Sequence, residues 1–419
     1  VKQGSLSDYF VGVGAKVLKG TEVDRKVSRG HEFQGVSDFR AFLGSPATKT
    51  VLPVSYVWLS DEEVPERIDL TGTWYDSRQK KDHRDPEYRL YYPKQVESVV
   101  YRAKEGDTLF LCQPKSGSLL ALMCAHGSSI EQQLLWLFGL QLTADFEIVQ
   151  QDLRKTTGRG LDFTSRYILE LIGIEVVSTA DQWLDRLLKK FGEKFPGTRE
   201  FSTFARNAAR GIDALADPDL ALVEWMDLEE RLFMTLEKHI VSRRLEQGFM
   251  LDGKADVDAF VGFSLSVQNR RKSRAGYALG NHIEEILRLH AIRHKREATT
   301  EKRNGPDFLF PDEAAYHDPE WPTTDLIMLG AKTTCRDRWR QVLAEADRIE
   351  IKHLLTLEPG ISETQTDEMQ KARLQLVLPA AMHETYRPRQ REWLMNVGNF
   401  LSLVKERQMS DWNSCRSNR

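Results

Sequence analysis

The chain has 419 residues, 41% of them hydrophobic and 29% charged, with a formal net charge of −3. That length accommodates two domains with separate cores, no apolar run approaches the roughly 18 residues a membrane helix needs, and the near-neutral charge argues against wholesale coating of nucleic acid while allowing one local basic face. With no signal-peptide pattern in VKQGSLSDYF and no C-x-x-C pair among Cys112, Cys124, Cys335 and Cys415, a cytoplasmic protein with buried or free thiols is expected.

From Tyr9 to about Leu140, short apolar runs are broken by Gly, Pro and Asp: DYFVGVGAKVL, VLPVSYVWLS, EYRLYYP, DTLFLCQP and GSLLALMCA. Strands at such close intervals predict a compact mostly-β domain, sandwich- or barrel-like, and IEQQLLWLFGLQL closes it as an amphipathic helix. Longer helical stretches follow, SRYILELIGI and ADQWLDRLLKKF, up to GEKFPGTRE, whose two glycines and proline mark a linker. From Phe201 to about Val267 the apolar spacing is mainly helical, and NRRKSRAGYALGNHIEEILRLHAIRHKR then reads as a basic segment feeding a helix. PDFLFP, LIMLGAK, RWRQVLAEADRI, KHLLTL and RLQLVLP read as strand, strand, helix, strand, strand, an α/β core around a mixed sheet. The last residues, from about Glu406, read as a poorly ordered tail. The expected division is therefore 1–175 mostly-β, 176–200 linker, 201–404 α/β and 405–419 tail.

The chemistry concentrates in the second half. LIMLGAK reads as a buried strand yet ends in Lys332, and a buried ammonium without a partner is costly. Asp307 stands directly before the FLF run, 25 residues earlier; if the two runs pair, carboxylate and ammonium meet at one end of the sheet. Such a pair can hold a divalent metal and a water beside it, which is the layout of PD-(D/E)xK nucleases. In that layout an acid stands two residues before the lysine, but here Gly330 occupies the position. Glu345, 13 residues beyond Lys332 on the expected RWRQVLAEADRI helix, is the candidate replacement. Asp307 and Glu345 are thus the candidate Mg²⁺ ligands, with Lys332 orienting the attacking water or stabilising charge on the phosphate. Glu284, on the helix after the basic segment, reads equally as a further catalytic acid or as part of a solvated face. Arg336, Asp337 and Arg338 follow the lysine strand at once; arginine suits guanine O6 and N7, and an acid between two arginines fixes their forks or accepts from cytosine N4. Arg270, Arg271, Lys272 and Arg274 suit phosphate contact, or base contact from a helix start.

NRRKSRAG, PDFLFP, AYHD, MLGAKTTCRDRWRQVLAEAD and HLLTL, in this order, resemble the catalytic half of EcoRII-type restriction endonucleases over roughly Phe201 to Leu403. The resemblance implies a restriction-endonuclease-like mixed sheet flanked by helices, places the catalytic aspartate, lysine and glutamate on Asp307, Lys332 and Glu345, and places the reading motif on Arg336, Asp337 and Arg338. It further implies Mg²⁺-dependent cleavage of double-stranded DNA at a short palindrome bounded by CC and GG, by a dimer formed through the catalytic domain. The amino-terminal half resembles the family's effector domain more loosely, through DYFVGVGAKVL, HEFQGV, WYDSR and RLYYP. That resemblance implies a DNA-binding pseudo-barrel that takes a second copy of the target and restrains cleavage; by position Arg78, Arg89 and His31 are its candidate DNA contacts.

Taken singly, Asp307 also reads as a turn residue and Lys332 as a salt-bridge partner at a strand end; Glu345 and the arginine triplet in register favour the catalytic reading. Two other functions remain open: a nuclease whose first domain senses a modified base, and a DNA-binding regulator without catalysis. His126, His239, His353 and His383 lack metal-pair spacing, TTGRGLDFT lacks the Lys-Ser/Thr ending of a phosphate loop, and Trp74-Tyr75 and Tyr91-Tyr92 read as core more than as base-stacking pairs.

Overall fold

The structure, a computed structural model, describes residues 6–417 apart from 29, 35, 37–38, 80–83, 116, 141, 143–148, 152–162, 175–180, 302–304 and 336–337. The discarded TTGRGLDFT motif falls largely in this undescribed part. The chain divides into two units, Val1–Val176 with Pro359–Gln365, and Val177–Glu358 with Thr366–Arg419.

The first unit is the expected mostly-β domain. Its strands are β1 (Phe10–Val17), β2 (Glu32–Phe33), β3 (Thr50–Leu59), β4 (Glu66–Asp76), β5 (Tyr88–Tyr91), β6 (Thr108–Pro114), β7 (Leu119–Cys124) and β8 (Val149–Gln151). They form one open half-barrel sheet in the order β2-β5-β4-β3-β7-β6-β1-β8, antiparallel throughout except between β3 and β7. β6 and β7 read as unbroken apolar runs because both faces of the sheet are covered there. Phe110, Cys112, Leu120 and Leu122 pack with Ile130, Leu134 and Phe138 of helix α1 (Ser129–Phe138), whereas the alternating Leu109, Leu111, Ala121 and Met123 pack with Tyr56, Trp74 and Leu90. Helix α2 (Phe163–Leu171) adds Ile168 and Leu169 to the first of these clusters. β4 carries Glu66, Asp69 and an exposed Leu70 over its first half, so the apolar alternation that announces a strand is missing. Ser362 donates its N–H to Ser129 Oγ at 2.9 Å, and Gln133 Nε2 donates to the Pro359 carbonyl at 2.6 Å, which ties the 359–365 segment into this unit.

The second unit opens with helices. Within the 176–200 segment, the expected ADQWLDRLLKKF helix is α3 (Asp181–Phe191), and it packs into this unit, burying Leu187 against Phe201 of α4 (Thr198–Ala208) and Leu232, Phe233 and Leu236 of α5 (Pro218–Gln247). The Gly and Pro of GEKFPGTRE serve only as the turn between α3 and α4. The basic segment does not start a helix; it lies in the middle of α6 (Val257–Leu289), capped at Asp256, whose side chain accepts from Ala259 N–H. Three glycines, at 262, 276 and 280, lower the helix propensity of this stretch, and packing against α4 and α5 overrides them. Between α5 and α6 a hairpin joins β9 (Met250–Leu251) to β10 (Lys254–Ala255).

A five-stranded sheet follows, in the order β11 (Lys295–Arg296), β12 (Phe308–Phe310), β13 (Ile327–Lys332), β14 (Lys352–Thr356), β15 (Leu374–Val377). The first three strands are antiparallel neighbours and the last three parallel, the mixed sheet that the strand and helix order implied. The expected RWRQVLAEADRI helix is shorter than its pattern: α7 covers Trp339–Val342 and gives way to turns with hydrogen bonds three residues apart. The expected tail is not irregular, since α8 runs over Val397–Ser417. Its start is fixed by Asp219, whose carboxylate accepts from the N–H groups of Val397 and Gly398, each at 2.9 Å.

Candidate active site

Pairing of β12 with β13 sets Phe308 opposite Leu329, so Asp307, one residue before β12, reaches the end of β13. Its carboxylate accepts from the N–H of Ala331 at 2.7 Å and from Lys332 Nζ at 2.8 Å. This is the partner that the ammonium requires. Both side chains keep part of their surface exposed, 35% for Asp307 and 23% for Lys332, so the pair can meet a ligand from solvent.

Gly330 shares a strand face with Lys332, and there the acid of the usual nuclease pattern would stand. A Cβ at that position would lie 3.1 Å from Val342 Cγ2 and 3.2 Å from Val342 Cγ1. The Val342 side chain of α7 therefore occupies the space, and three residues later the same segment presents Glu345. Burial pushes the Glu345 carboxyl up to about 7; the Lys332 ammonium pulls it down and the Asp307 carboxylate pushes it up. Its Oε2 is buried without a hydrogen-bond partner among the described residues. A buried carboxylate oxygen with no donor, within electrostatic reach of a second carboxylate, is the kind of site that a divalent cation would satisfy. The residues fit that group.

Glu284 is not brought to this pair. It accepts from Arg296 Nη1 at 2.6 Å and lies 3.6 Å from Arg199; among the described residues no three His, Cys, Asp or Glu side chains gather closely enough to hold a metal. Arg336 and Asp337 lie outside the described residues, while Arg338 is exposed at the start of α7. Of the basic stretch, Arg270 is exposed and stacks over Phe195 at 4.1 Å, and Arg271 pairs with Glu237; the Lys272 side chain lies outside the described residues. Arg274 is not a surface contact at all. It is buried, 3.0 Å from Glu229 and between the rings of Phe201 and Phe233 at 4.1 and 4.4 Å, because α4 and α5 cover α6 at this point, whereas Arg270, four residues earlier on the same face, stays exposed.

In the first unit, Arg78 is 2.8 Å from Glu87, and Arg89 is 2.7 Å from Glu32 and 3.2 Å from Glu87. His31 stacks on Tyr92 and lies 2.9 Å from Glu97. Two arginines facing two glutamates make a locally balanced cluster, so an approaching phosphate would have to displace a carboxylate. Of the aromatic pairs, Trp74 and Tyr92 are core, while Tyr91 is exposed. Cys112, Cys124 and Cys335 are buried free thiols.

The residues that sequence reading missed are those holding the site. Lys352 is buried and donates to the carbonyls of Ala346 and Ile349; Glu358 is buried and accepts from Cys335 N–H, three residues beyond β13. Lys352 carried the same signal as Lys332, a charge abutting an apolar strand run.

Residues 233–401 match the family model described as EcoRII C terminal. Over 210 residues the chain is 40% identical to the type II restriction enzyme EcoRII of Escherichia coli, which covers 50% of this chain and 50% of that enzyme. The chain thus matches about half the length of that curated relative. Among solved structures, metal-depleted Ecl18kI in complex with uncleaved DNA is similar at a TM-score of 0.44 and 17% identity, covering 56% of this chain and 86% of that one. The restriction endonuclease PspGI–substrate DNA complex is similar at 0.43 and 13%, covering 51% and 93%. Among the described residues no helix is long and apolar enough to cross a membrane.

Proposed function

We propose that this chain, whose carboxy-terminal domain is of the EcoRII type, is a type II restriction endonuclease that hydrolyses double-stranded DNA with Mg²⁺ at a short palindrome bounded by CC and GG. The observation that carries the reading is the convergence of Asp307, Lys332 and Glu345, whose buried Oε2 has no hydrogen-bond partner among the described residues. Asp307 and Glu345 would hold the cation, which supplies positive charge to the phosphate and to the departing oxygen. Lys332, held by Asp307, presents an ammonium to orient the attacking water or to offset charge growing on the phosphate. Arg338, with its neighbours Arg336 and Asp337, is the candidate for reading guanine edges, and the exposed Arg270 for phosphate contact. A two-fold target is cut on both strands by a two-fold protein, so the working unit is a homodimer through this domain.

The first unit is proposed to bind a second DNA copy and to restrain cleavage, with Arg78, Arg89 and His31 as candidate contacts. This rests on the looser resemblance of its strands.

The test is incubation of the chain with sequenced plasmid DNA, with and without Mg²⁺, and sequencing of the ends, alongside Lys332→Ala. Discrete Mg²⁺-dependent ends flanked by CC and GG, lost in the variant, are expected. Absence of cuts on plain DNA together with cuts on modified DNA would replace this reading with a modification-dependent nuclease.

A further inference from the structure

Asp307 and Lys332 are fixed by a sheet, but Glu345 is not carried by any regular element. Helix α7 ends at Val342, and Glu345 lies in a turn closed by its own N–H to the Val342 carbonyl at 3.1 Å. The next residue, Ala346, has φ 52°, the left-handed conformation that a residue with a Cβ rarely adopts. Such a conformation persists only when the surroundings over-determine it, and here they do. Ala346 donates to Thr300 Oγ1 at 3.3 Å, Asp347 to Glu301 Oε2 at 3.2 Å and Arg348 to Tyr316 Oη at 3.3 Å. From below, Lys352 Nζ donates to the carbonyls of Ala346 at 2.9 Å and Ile349 at 2.8 Å.

Lys352 differs from the other members of this ring. It is the first residue of β14, and its side chain, only 6% exposed, takes an ammonium out of water and puts it on two backbone carbonyls. Burying a charge for one turn is costly, whereas a neutral donor would satisfy the same carbonyls. The charge gains its worth from what stands around it, since the carboxylates of Asp347, Glu301 and Glu345 all act on this ammonium. We infer that Lys352 is a positioning residue for the metal site: it locks the left-handed turn at Ala346 and so holds the Glu345 carboxylate toward Asp307. The inference rests on the metal-site reading above.

The test compares wild type with Lys352→Met, Lys352→Arg, Thr300→Val and Glu345→Gln, all in the full chain. Mn²⁺ binding is followed by the electron paramagnetic resonance of the free ion, and order of the turn by amide exchange over residues 343–349. Loss of a group that orients a metal ligand costs about 10–100-fold in metal affinity, so Lys352→Met should fall by about tenfold or more, toward Glu345→Gln, with faster exchange in the turn. Lys352→Arg should regain much of the binding because it returns charge and donors, and Thr300→Val, which loosens the same turn from the other side, should lose affinity too. Wild-type Mn²⁺ affinity in Lys352→Met, with the turn still protected, would overturn the inference. Failure of the wild-type chain to bind Mn²⁺ would overturn the metal reading itself, a result distinct from any difference among variants.

Discussion

At the scale of single residues, the site works by putting charges where water would otherwise have to be. Lys332 resolves its burial through Asp307, and Glu345 resolves its own by favouring the protonated form, with its carboxyl raised from 4.5 to about 7. A carboxyl with a raised pKa contributes stability that is fully present below the unfolded value and lost as the pH rises through the folded one. In chelator, therefore, wild type should lose thermal stability relative to Glu345→Gln as the pH rises from about 4.5 to about 7, and Mg²⁺ should restore it above that window. Melting both proteins across that range, with chelator and then with Mg²⁺, checks this; parallel curves for the two would mean that Glu345 does not titrate in the fold.

At the scale of elements, one glycine decides where the second acid stands. With Val342 packed over Gly330, a Cβ at the strand position two residues before the lysine would crowd the Val342 methyls, and the turn after α7 brings Glu345 to the same neighbourhood instead. Moving the acid back should fail: Gly330→Asp in a Glu345→Gln background is expected to stay inactive on DNA and to lose about 1–3 kcal/mol of stability through overpacking. Cleavage assays with a denaturation curve on the same preparation test both halves, and recovered activity would show that α7 yields. The helices teach a related lesson. Arg274 shares both the basic run and the helix face of Arg270, yet it is buried against Glu229 where the helix is covered while Arg270 stays exposed, so a basic run on a helix is not one patch.

At the scale of the molecule, the two units carry separate cores, which makes removal of the first a meaningful experiment. The cut belongs before residue 177 and not at Phe201, because α3 belongs to the second unit and Leu187 is fully buried beside Phe201. If the first unit restrains cleavage, a chain of residues 177–419 should cut DNA bearing a single site faster than the full chain does. Equal rates, or an unchanged need for two sites, would remove the regulatory role from the proposal. Folding of the shortened chain is read independently from its unfolding cooperativity.

The sequence by itself determined the mostly-β first half, the mixed sheet of the second, and the pairing of Asp307 with Lys332, because strand runs, their order and a charge at a strand end are local patterns. It could not determine the burial of Arg274, the packing of the 181–191 helix into the second unit, the early end of α7 or the clamp of Lys352 on Ala346. Those depend on which surfaces meet. Which stretch of α6 is covered depends on where α4 and α5 lie against it, and the left-handed turn is braced by donors and acceptors from 300–301, 316 and 352, residues that a linear reading keeps apart. Local periodicity fixes the elements, and long-range packing fixes the direction in which each charged side chain points.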